Sequence, residues 1–383
     1  MNTNSIGTAS FWNKNFVLLI TSNILLYIGV YMLFPVLHTR IMDSWGFTSE
    51  ESALVSMGLF GLSMFLPGLF NNYLVDTFRR KSVCTRSILL FALLGIAYPY
   101  ADELWMLCAL RILQGAFFGI AMMVTGSTLV IDVTPSSYRS KANMMFALSG
   151  AFGAVVGAFL GAYLEPDFSL ENLIYISAAL NCFSLLLVSM IKVCFRAPMH
   201  VSLLSLDRFI LVRNILPGVN MITIPFILGT LIGYETDSFF YLCIAAGFVL
   251  FLLFPRVLLR KVDSRIMLVL GYMMLMISIY ILYTDAIYMS TYISGVLVGL
   301  GIPLAMFQFL NVMIRLPKHC ERGTGYNTYQ LMWDAGIIIG CCVCMAYDYE
   351  ELSMASLLCF VGVMFYVAIT YPYFYKKLKD RNL

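Results

Sequence analysis

Apolar residues in this chain gather into twelve long stretches separated by short polar ones: residues 16–37, 52–75, 83–100, 104–132, 142–164, 171–195, 215–233, 238–259, 266–284, 288–314, 324–346 and 352–374. A helix rising 1.5 Å per residue crosses a hydrocarbon core of about 30 Å in about 20 residues. Lipid offers no partner for backbone N–H and C=O groups, so apolar stretches of this length are predicted to be helices. The shortest, 83–100, 215–233 and 266–284, are marginal in length. The expectation is an all-α integral membrane protein with twelve transmembrane helices.

Charge orients these elements. The tails and even-numbered connections, with the segment ends that adjoin them, hold 22 of the 24 Lys and Arg, among them Lys14, Arg79, Arg80, Lys81, Arg86, Lys376 and Lys377. The opposite side has one base, Arg40, with 14 of the 21 acids, and the remaining base, Arg111, falls inside an apolar stretch. Lys and Arg concentrate in cytoplasmic loops. Both termini are therefore expected in the cytoplasm, with the chain in a cell's inner membrane.

Composition agrees with this reading. The chain is 61% hydrophobic and 12% charged, against about 45–50% apolar and 25% charged in soluble domains. The net charge of +3 follows from topology and implies no nucleic-acid partner. The run beginning at Phe16 exceeds a typical signal core, so the first segment is expected to stay in the mature protein. Of the ten cysteines, most lie within segments. Cys341 and Cys344 share a helix face beside Cys342, and small residues packing between helices account for them better than a soft-metal site. His38, His200 and His319 lie near segment ends and form no ligand cluster. No cofactor or metal is expected.

The longest connection, about residues 196–214, divides the segments six and six, and includes Arg196, His200, Asp207, Arg208 and Arg213. The predicted domains are 1–195, a cytoplasmic linker 196–214, and 215–383. A weak repeat matches the division. Tyr138-Arg139 through Gly153 and Gly157 aligns with Glu321-Arg322 through Gly336 and Gly340, and Gly119 with Pro135 aligns with Gly301 with Pro317. The basic loop at 79–81 has a counterpart in Arg260, Lys261 and Arg265. Parallel six-helix repeats enclosing a midplane site are one architecture of secondary transporters.

Three local patterns carry a resemblance to the major facilitator superfamily over nearly the whole chain, nearest to bacterial twelve-span drug and sugar efflux permeases. After the second segment, Asp76, Arg80 and Lys81 fit the family's loop signature, while Asn72 and Arg79 replace its two glycines and Thr77 a base. In the fourth, Leu107, Arg111, Gln114 and Gly115 resemble a signature of proton-driven transporters. In the fifth, Gly153-Ala154-x-x-Gly157-Ala158 resembles the antiporter motif, with Ala154 in place of its Pro and Ala158 in place of a Gly. The resemblance implies two pseudo-symmetric six-helix bundles that rock about a central site. It also implies that Asp132 pairs with the loop holding Asp76, Arg79 and Arg80, latching the two halves.

Individual residues have their own reading. Arg111 lies about seven residues into its segment, roughly 10 Å below the outer surface. Arg near a helix centre costs about 2.5–3.5 kcal/mol on insertion scales, so it faces a cavity or partner. It is a candidate for holding an anionic solute group or responding to a proton, against a purely structural pairing. Asp334 lies about ten residues into the eleventh segment, roughly 15 Å deep. A carboxyl alternately wetted and dried loads and releases a proton; the bland alternative is an acid that fixes helix packing. Asn327 and Gln330 share its face.

Polar stripes sketch a lining. Asn23, Tyr27 and Tyr31 recur at steps of four in the first segment. Asn220 and Thr223 stand beside Pro217, Gly218 and Pro225 in the seventh, where a helix break frees carbonyls. The tenth offers Gln308 and Asn311. The resemblance assigns segments one, four, seven and ten to the cavity, so these residues and Gln114 are solute-binding candidates; their alternative role is interhelical hydrogen bonding. Gly153 and Gly157 are read as a smooth contact that permits rocking, or as static packing.

The expected function is proton-coupled export of a small organic solute, drug-like or a sugar, by a monomer in the bilayer. Proton symport or facilitated uptake is the rival within transport. An integral-membrane lipid-modifying enzyme would need a nucleophile, acid pair or metal set that the sequence does not present, and a transporter-like sensor would carry an added signalling domain.

Overall fold

The computed structural model describes residues 11–193, 199–234, 237–253, 263–284, 289–347 and 351–382. Among them, nine helices are long and apolar enough to cross a membrane: α1 (Lys14–Asp43), α2 (Ser49–Thr77), α4 (Leu104–Val133), α5 (Ser136–Leu164), α6 (Leu170–Met190), α9 (Ser264–Thr284), α10 (Ser290–Arg315), α11 (Arg322–Ala346) and α12 (Met354–Lys379). A tenth, α7, is the pair Val212–Met221 and Thr223–Tyr234, bent by 43°. Two shorter helices, α3 (Arg80–Ile96) and α8 (Ser238–Leu253), occupy the remaining positions. Helices thus stand at all twelve predicted places. The ninth, expected to be marginal, is full length, while the third and eighth are the short ones. Arg196, Arg260 and Lys261 lie outside the described residues.

Local chemistry sets several boundaries. Asn13 caps α1, its Oδ1 accepting from the Phe16 N–H at 2.9 Å, and its Nδ2 donates to the Val133 carbonyl at 2.9 Å, tying the start of α1 to the end of α4. Thr48 and Glu51 form a capping box at the start of α2, which satisfies two donors that a helix start leaves open. Gly46, at φ +64°, makes the left-handed turn between α1 and α2 that other residues rarely adopt. The bend in α7 is the break expected from its prolines. Pro225 has no N–H for the Met221 carbonyl, so the helical ladder is interrupted there.

Helix packing repeats itself six helices along the chain. The pairs α1–α5, α1–α6, α2–α4, α3–α4 and α3–α6 have counterparts in α7–α11, α7–α12, α8–α10, α9–α10 and α9–α12. Contacts between the two sets obey the same rule: α2–α11 mirrors α8–α5, and α4–α11 mirrors α10–α5. The sequence repeat is visible in backbone form as well. A single 3-10 turn precedes both α5's long helix and α11, at Ser136–Tyr138 and His319–Glu321, and each helix proper then opens on an arginine, Arg139 and Arg322.

Glycines bring backbones together. A Cβ on Gly153 would lie 2.7 Å from the Ile24 carbonyl oxygen, and one on Gly157 would lie 2.8 Å from that of Ile28. Both face α1, within the first six helices. Gly336 likewise faces Pro225 of α7. The expected rocking contact is therefore corrected: these glycines let α1 approach α5, and they do not face the other six helices. Cys344 also packs on α7, its Cβ 3.0 Å from where a Cβ of Gly233 would stand.

Candidate functional site

Asp334 is fully buried in α11, and its partners come from both sets of six helices. The Tyr27 hydroxyl of α1 reaches its two carboxylate oxygens at 2.8 and 3.0 Å. Gln330 Nε2, one helical turn before Asp334, donates to Asp334 at 3.2 Å and to the Tyr27 hydroxyl oxygen at 2.5 Å. The Tyr326 hydroxyl in turn donates to Gln330 Oε1 at 3.1 Å. The steps of four between Tyr326, Gln330 and Asp334 place these groups on one face of α11.

Aromatic rings enclose this carboxylate. Tyr31 stacks on Tyr27 at 5.7 Å, and Tyr329 stacks on Trp333 at 6.3 Å. The Tyr31 and Tyr329 hydroxyls and the Trp333 Nε1 are buried without a hydrogen-bond partner among the described residues. Unmatched buried polar groups carry a desolvation cost, and this surround leaves three donors unmatched beside the carboxylate. The sequence singled out Tyr27, Tyr31, Gln330 and Asp334, which the fold brings together; it did not single out Tyr326, whose step of four to Gln330 was the available signal, or Tyr329 and Trp333, whose spacing is that of packing aromatics.

Arg111 occupies a second buried cluster, inside the first six helices. Its guanidinium lies 5.1 Å from the Tyr98 ring centroid and 5.9 Å from that of Phe60. Its Nη1 donates to Gln114 Oε1 at 3.5 Å, while Nε and Nη2 have no hydrogen-bond partner among the described residues. Gln114 Oε1 also accepts from the Tyr98 hydroxyl at 2.7 Å. Phe60 and Phe118, in contact at 5.6 Å, stand between this cluster and Tyr27. The predicted pair Arg111 and Gln114 is thus together, but separate from Asp334.

The remaining lining candidates meet neighbouring helices. Asn23 Nδ2 donates to the Phe146 carbonyl at 3.1 Å and to Ser149 Oγ at 2.8 Å, both in α5. Asn220 bonds Thr370 of α12 at 2.9 Å. Thr223 pairs with the Tyr272 hydroxyl of α9 at 2.6 Å. Gln308 Nε2 lies 3.6 Å from the Met267 sulfur, and Asn311 is half-buried. For Asn23, Asn220, Thr223 and Gln308 the contacts are those of interhelical hydrogen bonding, the alternative reading of their stripes.

At the basic end of the bundle, Arg80 holds Asp132 with Nη1 at 2.9 and 2.8 Å and Asp76 with Nη2 at 3.3 Å. All three belong to α2, α3 and α4. The predicted latch between halves is corrected on this point, because its charges lie within one set of six helices. Arg79 is exposed at the start of α3.

Reach to the other set comes from the linker. Arg208, at φ +58°, donates from Nη2 to Asp76 at 3.2 Å and from Nε to Asn72 at 3.2 Å. Its carbonyl accepts from Asn71 of α2 and from Asn327 of α11, each at 2.5 Å. Its N–H donates to Thr324 of α11 at 3.0 Å, and the Leu211 N–H donates to Thr328 at 2.8 Å. One linker residue therefore ties α2 to α11. Asn72, where the family signature has glycine, supplies an acceptor that glycine lacks.

Comparison with known proteins agrees with this architecture. The family model described as Major Facilitator Superfamily matches residues 19–341. The multidrug resistance protein MdtH of Yersinia enterocolitica is 29% identical over 167 residues, 43% of this chain and 40% of that protein. MdtH of Yersinia pestis (strain Pestoides F) is 27% identical over 255 residues, 62% of each. The chain thus aligns with less than two thirds of the length of these relatives. Among solved structures, a D-xylose-proton symporter superimposes with a TM-score of 0.73 at 12% identity, covering 93% of this chain and 97% of that one. The human organic anion transporter MFSD10 (TETRAN) gives 0.68 at 13% identity, covering 92% and 98%. These two likenesses concern the fold.

Proposed function

The chain belongs to the Major Facilitator Superfamily, and from this premise we propose that it is a proton-coupled transporter exporting a small organic solute by alternating access. The observation that carries this reading is Asp334: a buried carboxylate whose donors come from α1 and α11 together. Two rocking bundles, residues 1–195 and 215–383, are supported by the six-helix periodicity of the packing. When the bundles separate on one side, Tyr27 withdraws from Asp334 and water reaches the carboxylate. Protonation then competes with solute for the same carboxylate, since a buried charge is stable only when paired or neutralised.

Tyr27, Tyr31, Gln330 and the aromatic surround are the solute contacts in this reading, with Arg111 and Gln114 as a second polar station. Stacked rings beside a carboxylate favour an amphipathic solute with a flat or cationic part. The name of the MdtH relatives points the same way. Arg208 with Asp76 closes the cytoplasmic mouth. The setting is a cell's inner membrane, with both termini in the cytoplasm, as the distribution of basic residues supports.

The test is flux in reconstituted vesicles under an imposed pH gradient, with labelled amphipaths and sugars as solutes. The expected result is gradient-driven movement of an amphipath opposite to the proton flow, abolished by a protonophore. Movement in the same direction as the protons would replace export with symport. Flux indifferent to the gradient would remove proton coupling.

A further inference from the structure

A groove of about 570 Å³ opens on the outer side of α3, between α2 and α4. It lies apart from the residues proposed to bind solute. It takes Ser82, Arg86 and Leu90 from one face of α3, at steps of four, and Arg79 from the position just before the helix; Phe117 and Ile120 of α4 form its far wall. Arg79, Arg86 and Leu90 are exposed. No acidic residue is among the described lining. Asp76, the nearest acid in sequence, is buried and turned to Arg80 and Arg208. No side chain caps the start of α3, and its first turn holds no acid, so the helix end adds partial positive charge at the same mouth.

We propose that this groove binds an anionic phospholipid of the cytoplasmic leaflet. Arg79 lies at the headgroup level given by the basic side of the bundle. Arg86, two turns or about 10 Å deeper along α3, extends its guanidinium back toward the surface, as long basic side chains do near an interface. The phosphodiester sits between the two arginines and Ser82. One acyl chain follows Leu90, Phe117 and Ile120 into the membrane. Basic pockets between membrane helices on the cytoplasmic side select anionic headgroups, and the apolar wall distinguishes a lipid from a free phosphate.

The inference is tested on the delipidated full-length protein in detergent, by native mass spectrometry and thermal unfolding. Phosphatidylglycerol, phosphatidylcholine with the same acyl chains, and glycerol phosphate are titrated separately. Phosphatidylglycerol is expected to bind saturably and raise the unfolding temperature, the other two far less. Arg86→Gln should weaken phosphatidylglycerol binding about tenfold, the scale of one charge-assisted contact. The double change Lys376→Gln and Lys377→Gln, which removes two basic charges elsewhere, should bind like wild type. Leu90→Trp keeps both arginines and fills the acyl seat, so it should also weaken binding and serves if the arginine variant fails to fold. Equal affinity for the two phospholipids, equal stabilisation by glycerol phosphate, or unchanged phosphatidylglycerol affinity in Arg86→Gln or Leu90→Trp would overturn the proposal. Binding is read without flux, so the outcome is independent of the transport assay.

Discussion

Asp334 and Arg111 are both withdrawn from water, at 0% and 3% exposure, yet their surroundings differ in kind. The carboxylate accepts from Tyr27 and Gln330, and Tyr27 belongs to a helix that α11 meets only where the two sets of six helices come together. The guanidinium keeps Nε and Nη2 unmatched, and the contacts described above come from α2, α4 and the turn holding Tyr98. In the proposed alternating-access cycle, movement between the bundles would rewrite the environment of Asp334 and leave that of Arg111 intact. A charge whose partners are divided between moving parts can couple motion to protonation. A charge with spare donors inside one rigid part is suited to receiving an acceptor from outside.

The largest expected effect breaks the comparison at its acidic side. Asp334→Asn keeps the shape and removes the ionisable group, so gradient-driven solute flux should fall to the level of empty vesicles while solute counterflow persists. Retained driven flux would move coupling elsewhere. Arg111→Gln comes next. Hydrogen bonds to charged groups contribute about 1.5–3 kcal/mol, so equilibrium binding of an anionic or polar solute should weaken by about 10- to 150-fold, with gradient coupling of the residual flux unchanged. Normal affinity would make this arginine structural.

Tyr27→Phe sharpens the contrast by deleting only the cross-bundle donor. Gln330 still bonds the carboxylate, so driven flux should drop by about tenfold, less than for Asp334→Asn. An equivalent change inside the Arg111 cluster, Tyr98→Phe, should leave coupling untouched. The smallest effect is expected from Arg208→Ala. It removes a partly exposed ion pair, worth about 0–1 kcal/mol, and leaves the carbonyl contacts to Asn71 and Asn327. The alkylation rate of a reporter cysteine placed at the buried Ser127, toward the basic end of the bundle, should rise by up to about fivefold. No change would assign closure to the backbone contacts alone.

Much of this was legible in the chain because lipid leaves so few solutions. Long apolar stretches must be helical, so the positions of all twelve helices and the break beside Pro225 could be read from residue order. The polar stripe at Asn23, Tyr27 and Tyr31 illustrates the limit. Spacing places the three on one face, but α5 takes Asn23 and α11 takes Tyr27, a difference set by helices more than a hundred residues away. The charges Asp76, Arg80 and Asp132 were correctly grouped, yet their joining α2, α3 and α4 to one another depends on how those helices pack. Arg208 was legible only as a basic linker residue. Its reach to α2 and α11 depends on a left-handed backbone and on acceptors and donors that no local pattern announces.

The most direct measurement of the central claim is proton release on solute binding, followed in weakly buffered detergent solution with a pH-sensitive dye. The account predicts that a solute exported by the wild-type protein displaces a proton on binding and that Asp334→Asn, binding the same solute, displaces none. Equal proton release by the two proteins would contradict it.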